Sequence, residues 1–366
     1  LIHEVDSAIP IYSSTWRHCA AWDDSLDLWG IGQFGCFPVD AMERLQRAGK
    51  QMWFTCDGQM ATDTPFLATE RLLPYYCFEY GVRGFEFWGL AWWTFGGLHE
   101  IDRHVPFAEK PNASLLFITG TCAVFSALWG RGWVIARFPA LALMPLLVLV
   151  FVLSGIEHAH QHPLAGYGVL AWPLAFLFHL RILRRHDEAQ GDYMIFVHAA
   201  GVWLLAAVGA WEVGWQIDRV VEARPVWPLI AWALVPGALL AALALKGHAM
   251  AWPVMRYPKA YLWVGAAPLA ILLLGWTLYA NFSNDGNPQP LPYVPLLNPL
   301  DIAQLLAFAC LAMWWRGLQG YGLGYADQMP ASWPRALLGG AAFVFLNGVL
   351  LRTLHHWAGI PYQLDT

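Results

Sequence analysis

The residues best suited to chemistry stand together in the run EHAHQH, residues 157–162. In extended backbone His158, His160 and His162 share one face, and Glu157 completes a four-ligand set of the kind that holds a zinc-like ion. A wet loop leading into Pro163 is the preferred reading of the run, since no second ligand cluster accompanies it. Other polar residues lie in or beside strongly apolar sequence, where each is costly and is a functional candidate by default. Glu212 either lines a cavity or reaches to the membrane interface. Asn347 is expected to hydrogen-bond to a neighbouring helix. For His355 and His356, placement at an interface is preferred over a pore or metal role. No charged residue falls near the middle of an apolar stretch, where ion or proton coupling would ordinarily demand one. No cofactor is expected.

The elements that must position these residues are plain. Eight apolar stretches lie near 113–130, 139–155, 165–183, 193–215, 227–245, 260–280, 301–320 and 334–354, each close to the roughly 20 residues that cross a bilayer. Hydrocarbon offers backbone groups no partners, so stretches of this length must be helices. The fold class is therefore an all-α polytopic membrane protein, with about eight transmembrane helices, preceded by a short α/β segment. Composition agrees: 58% of the chain is hydrophobic and 13% charged, against about 25% charged in soluble domains. No block of Lys and Arg suggests nucleic acid, so the expected partner is the lipid bilayer. Trp129, Trp133, Trp172, Trp215, Trp227, Trp252, Trp314 and Trp333 stand at stretch ends, as an interfacial belt would.

Lys and Arg concentrate in alternate loops: Arg131 and Arg137; Arg181, Arg184 and Arg185; Lys246, Arg256 and Lys259; Arg316 and Arg335. Retention of positive charge puts these loops in the cytoplasm and both ends of the chain outside. The run FWGLAWWTFGGL, 87–98, is too short to be a further crossing. The proline-rich connection 281–300 is expected to be an extended outer loop, with Asn298 or Asp301 capping the helix after it.

Ahead of the helices the periodicity alternates: strands at 9–15, 27–34, 51–56 and 84–89, and helices at 39–50 and 64–81, which favours a parallel βα arrangement. Cys19, Cys36, Cys56 and Cys77 fit two disulfides or four packed thiols, and the second is preferred. Cys122 and Cys310 read as packing residues.

Within this part YSSTWRHC (12–19), WDDSLDLWG (22–30) and the run from 53 to 89 resemble the carboxyl-terminal part of a glycoside hydrolase family 123-like catalytic domain, related to β-N-acetylgalactosaminidases. The resemblance implies a (β/α) barrel and a substrate-assisted mechanism, in which the substrate's N-acetyl group attacks the anomeric carbon beside an Asp-Glu pair. No counterpart of that pair is found, since Asp23 and Asp24 fall elsewhere in the pattern. The segment reads as incomplete, and no enzymatic activity is expected of it in this form. Trp29, Asp57, Glu86 and Trp88 remain candidates for contact with a glycan. The plainer reading gives Asp57 and Gly58 to a turn, and Glu86 to a pair with Arg71.

From LAWWTFGGLHEIDRHVPFAE (90–109) onward, with AWEVGWQIDR (210–219), NDGNPQPLPYVPLLNPLDIAQ (284–304) and LLRTLHHWAGIPYQLD (350–365), the chain resembles bacterial predicted membrane proteins of the domain of unknown function 2339 family. That resemblance implies many helices, continuing beyond both ends, and no activity. The expected organisation is a hydrolase-like segment 1–89, a junction 90–112 and a helical domain 113–366. No linker separates the two resemblances inside FEFWGLAWW, so a join of unrelated fragments is expected, with a strand or helix losing its partner there. A faint repeat of an apolar Trp-containing run ending in Ile-Asp-Arg (91–103 and 210–219) suits transporter-like architecture. Three functions follow as expectations, in the bacterial inner membrane that the second resemblance implies: an integral membrane protein of unknown biochemical activity with an incomplete glycosidase-like extracytoplasmic segment, a membrane-anchored glycosidase acting on N-acetylhexosamine glycans, and a transporter or envelope-glycan enzyme with its site among the helices.

Overall fold

In a computed structural model of the chain the described residues are 10–15, 17–31, 37–55, 77–82, 84–86, 89–133, 136–157, 161–187, 193–221, 226–320 and 332–362. They fall into two units, Leu1–Glu100 and Ile101–Thr366, each taken here by itself.

In the first unit β1 (Tyr12–Thr15), β2 (Leu28–Ile31), β3 (Gln51–Thr55) and β4 (Gly84–Glu86) form a parallel sheet in sequential order. Parallel neighbours require crossovers, and α1 (Val39–Arg47) supplies the one from β2 to β3. Its residues Ala41, Met42 and Leu45 face inward onto Trp29, Ile31, Met52 and Phe54. On the outer face Arg47 pairs with Glu43 one turn away at 2.9 Å. The expected parallel βα pattern is thus present, and β4 keeps β3 as its partner. Immediately afterwards α2 (Gly89–His104) begins, so among the described residues neither side of the expected join loses its secondary structure. Cys19 is a free thiol, and burial pushes the Cys77 thiol up; Cys36, Cys56 and most of the helix expected at 64–81 lie outside the described residues.

Each apolar stretch of the sequence is overlapped by a helix of the second unit. These are α3 (Lys110–Trp129), α4 (Arg137–Leu141) leading into α5 (Leu143–Glu157), α6 (Gly168–Arg185), α7 (Met194–Val221), α8 (Val226–Lys246), α9 (Ala266–Ser283), α10 (Pro299–Gly320) and α11 (Ser332–Ala358). Among the described residues five helical segments are long and apolar enough to cross a membrane: Phe107–Trp129, Met194–Val221, Val226–Ala249, Lys259–Ser283 and Arg335–Ala358. Apolar side chains cover their outer surfaces as well as their packed faces; Ile271 and Phe343 are each 69% exposed. Helices apolar all round belong in a lipid environment.

The core of this unit runs between α7, α8, α9 and α10, through Val202, Ile230, Leu240, Leu269, Leu273, Ala303, Ala307 and Leu311. Trp172 and Trp314 correct the aromatic-belt expectation, because both are buried and Trp314 donates its indole N–H to the Leu262 carbonyl at 2.9 Å. Trp133 and Trp333 do stand exposed. A π-helical segment, Lys259–Gly265, precedes α9, and Trp203 donates to the Gly265 carbonyl at 3.0 Å.

Candidate functional site

At one end of α9, α10 and α11 a set of polar side chains closes on a buried ion pair. Arg352, from α11, meets the Asp301 carboxylate of α10 at 2.6 Å, and both side chains are wholly excluded from solvent. The guanidinium also donates to Asn281 Oδ1 of α9 at 2.8 Å. Asn281 in turn donates its amide to Gln304 Oε1 at 2.6 Å and to the Thr277 carbonyl at 2.7 Å. Three helices are thereby tied through one cation. Gly348 permits it: a Cβ there would stand 2.0 Å from Asn281 Oδ1.

The connection from Asn284 to Asn298 folds over this centre. Its first part is a chain of Asx turns, in which Asn284, Asp285 and Asn287 each accept from the backbone N–H two residues on, so the expected extended loop is turned there. Gly286 lies at φ +69°, and a Cβ there would meet Arg352 Cδ at 2.5 Å; position 286 therefore needs glycine for both its backbone and its neighbour. Asn298 caps α10, accepting from the Leu300 N–H at 2.8 Å as the sequence suggested, and it donates to the Gly286 carbonyl at 2.5 Å. Asp301 uses its second oxygen to accept from the Leu296 N–H at 3.1 Å. Leu296 sits at φ +65°, a strained conformation for a leucine, and this bond helps hold it. After α11, Tyr362 donates its hydroxyl to the Asn281 carbonyl. Burial raises the phenols of Tyr293 and Tyr362, with the guanidinium of Arg352 opposing it in both. Two buried donors have no acceptor: Arg352 Nε and the Gln304 amide nitrogen.

A second polar cluster joins the end of α7 to the segment before α6. Glu212 accepts from His162 Nδ1 at 2.8 Å, from the Leu164 N–H at 3.0 Å and from Gln216 at 2.7 Å. His162 stacks on Trp215 at 3.9 Å. Glu212 is therefore an anchor between segments. A third cluster sits at the opposite end of α7. His198 bonds the Tyr261 hydroxyl at 2.9 Å and stacks on Tyr257, which donates to Asp187. Burial first, and then the neighbouring Asp187 carboxylate, raises the Tyr257 phenol.

The residues singled out from the sequence end in different places. Trp29 is fully buried against Phe37 and His18, so its ring offers no face to a sugar, which corrects that expectation. Glu86 lies on β4 opposite Thr55, while Asp57 and Trp88 lie outside the described residues. Glu157 is the last residue of α5; His158 and His160 lie outside the described residues, and His162 is engaged by Glu212. Asn347 donates to Phe343 of its own helix and is exposed, not bonded to a neighbouring helix as expected. Arg352 was missed, and Asp301 was read only as a possible cap. Both fall just inside the limits of apolar stretches, and charge within those limits was the signal that could have found them.

A family model described as predicted membrane protein (DUF2339) matches residues 41–365. No curated protein and no solved structure matches the chain. The matched range begins within the first unit and passes unbroken across residues 89 and 90, so the change of family expected there has no counterpart, and nothing in the comparisons adds support to the hydrolase resemblance.

Proposed function

As the chain belongs to that family of predicted membrane proteins, we propose that it is a transporter-like protein of a bacterial inner membrane, crossing eight times and closed at its outer end by the Arg352–Asp301 pair. The crossings are α3 and α5 to α11. The charge-rich loops then face the cytoplasm, and the Asn284–Asn298 cap, the first unit and the carboxyl end face outward.

One observation carries the reading: a cation and an anion on two helices of this bundle meet entirely out of solvent. Ionisable groups so placed in membrane proteins mark substrate pathways or switching contacts, because their desolvation is costly. The cap begins just after Asn281 and ends just before Asp301, so separating the pair would free the segment above it. Arg352 Nε and the Gln304 amide are donors that suit an anionic or carbonyl-bearing solute. The chemistry is recognition and gating, without bond cleavage.

Hydrogen exchange of the protein in lipid nanodiscs tests it. The amides of Leu296, Leu300 and Ile302 should exchange through a local opening well below the cost of global unfolding. A panel of small carboxylates and phosphates should contain solutes that slow this exchange, and the slowing should vanish in Arg352→Lys. Exchange only through global unfolding, with no response to any anion, overturns the proposal. Impermeant thiol labelling of Gln289→Cys against His248→Cys in intact cells tests the orientation.

A further inference from the structure

Beyond the buried pair, the last turn of α11 and the start of the cap bring together a set of groups with no part in it. His355, His356 and Asp285 each place one ligand atom within 4.8 Å of the others, and all three are partly exposed.

The hydrogen bonds around them decide which atoms remain available. His355 Nδ1 faces the Ile360 carbonyl at 2.8 Å, and because a carbonyl only accepts, Nδ1 carries the proton. Its Nε2 is left with a lone pair, which faces Asp285 Oδ2 at 3.6 Å. His356 Nε2 likewise donates to the Asp285 carbonyl at 3.0 Å, leaving Nδ1 basic. The His356 ring is fixed by stacking on Tyr293 at 4.2 Å. Asp285 Oδ1 accepts from the Asn287 N–H at 3.1 Å, which leaves Oδ2 as the free oxygen. His355 and Asp285 are thus each oriented through their other polar atom, the arrangement by which metal sites fix tautomer and ring direction, and His356 is held by its carbonyl contact and its stack.

His355 Nε2 and Asp285 Oδ2 are too far apart for a good hydrogen bond, and two lone pairs face each other there. A divalent cation held by both atoms would satisfy the two lone pairs at once. Two ligands of a tetrahedral ion at about 2.0–2.1 Å each stand roughly 3.3–3.4 Å apart, close to the separation seen. We propose that His355, His356 and Asp285 bind a divalent transition-metal ion of the zinc class, with its fourth position open to solvent at the outer end of α11. The bound ion clips the cap to the helix, and its open position takes water or an anionic ligand.

The full chain, purified in detergent without a histidine tag and stripped with a chelator, is given Co2+ and then Zn2+. One ion per chain by mass spectrometry is expected, with the intensified visible absorption of tetrahedral cobalt, displaced by zinc. His355→Ala and Asp285→Asn should each weaken binding at least tenfold while eluting as the parent does on gel filtration. A variant replacing His158, His160 and His162 together should bind as the parent does. Absence of stoichiometric metal in the parent chain, or loss of the ion only in the triple histidine variant, overturns the assignment.

Discussion

Two acid–base pairs tie helix ends in the second unit, and they differ in what surrounds them. Arg352 and Asp301 are shut away from solvent, and each needs further partners: an amide from α9, a backbone N–H from the cap. Glu212 and His162 keep 12% and 17% of their side-chain surface exposed. Water can replace a lost partner at the second pair, while at the first any loss leaves a bare charge in an apolar interior. Enclosure, more than the pairing itself, makes a site intolerant.

Mutations sharpen the contrast. Arg352→Met should cost about 3–5 kcal/mol by stranding Asp301, read as a lower midpoint of thermal aggregation in detergent. Adding Asp301→Leu should return much of that stability, because removing both charges removes the stranded one; a double variant no better than the single would break the argument. Gly348→Ala should cost about 1–3 kcal/mol by forcing α11 away from Asn281. Glu212→Gln should cost only about 1–2 kcal/mol, since the shape is kept and solvent is near, and a loss as large as that at Arg352 would erase the distinction. Asn347→Ala, at an exposed position, should fall within about 0.5 kcal/mol of the parent.

A smaller effect follows from pH. Burial holds the His186 imidazole, between Trp129 and Ser126, below its ordinary value. As pH falls through about 6.5 the unfolded chain takes up a proton that the folded chain resists, so stability is full above that value and declines below it. His186→Gln should flatten the decline in melting midpoint between about pH 7.5 and 5.5; an unchanged slope would move its cause elsewhere.

Helices were legible because their signal is local. In Leu143–Glu157 or Val226–Lys246 the run of apolar residues states its own environment, and a backbone in that environment has one way to satisfy itself. Asn298 was legible as a cap for the same reason, since its bonds reach only to nearby residues. Trp29 and Trp314 were misread because an indole suits a sugar, a membrane interface or a core, and only its neighbours decide among them. The EHAHQH run drew attention by density alone, whereas His355 and His356 gain their acidic partner from a loop 70 residues earlier.

The sequence by itself determined the medium, the helices, the parallel βα character of the first unit and several caps, because each of these rests on properties summed over neighbouring residues. Tertiary structure decided which charges meet. Arg352 and Asp301 are 51 residues apart and Arg352 and Asn281 are 71 apart. Only the packing of α9, α10 and α11, with Gly348 allowing the close approach, turns three ordinary polar residues at helix ends into one enclosed centre.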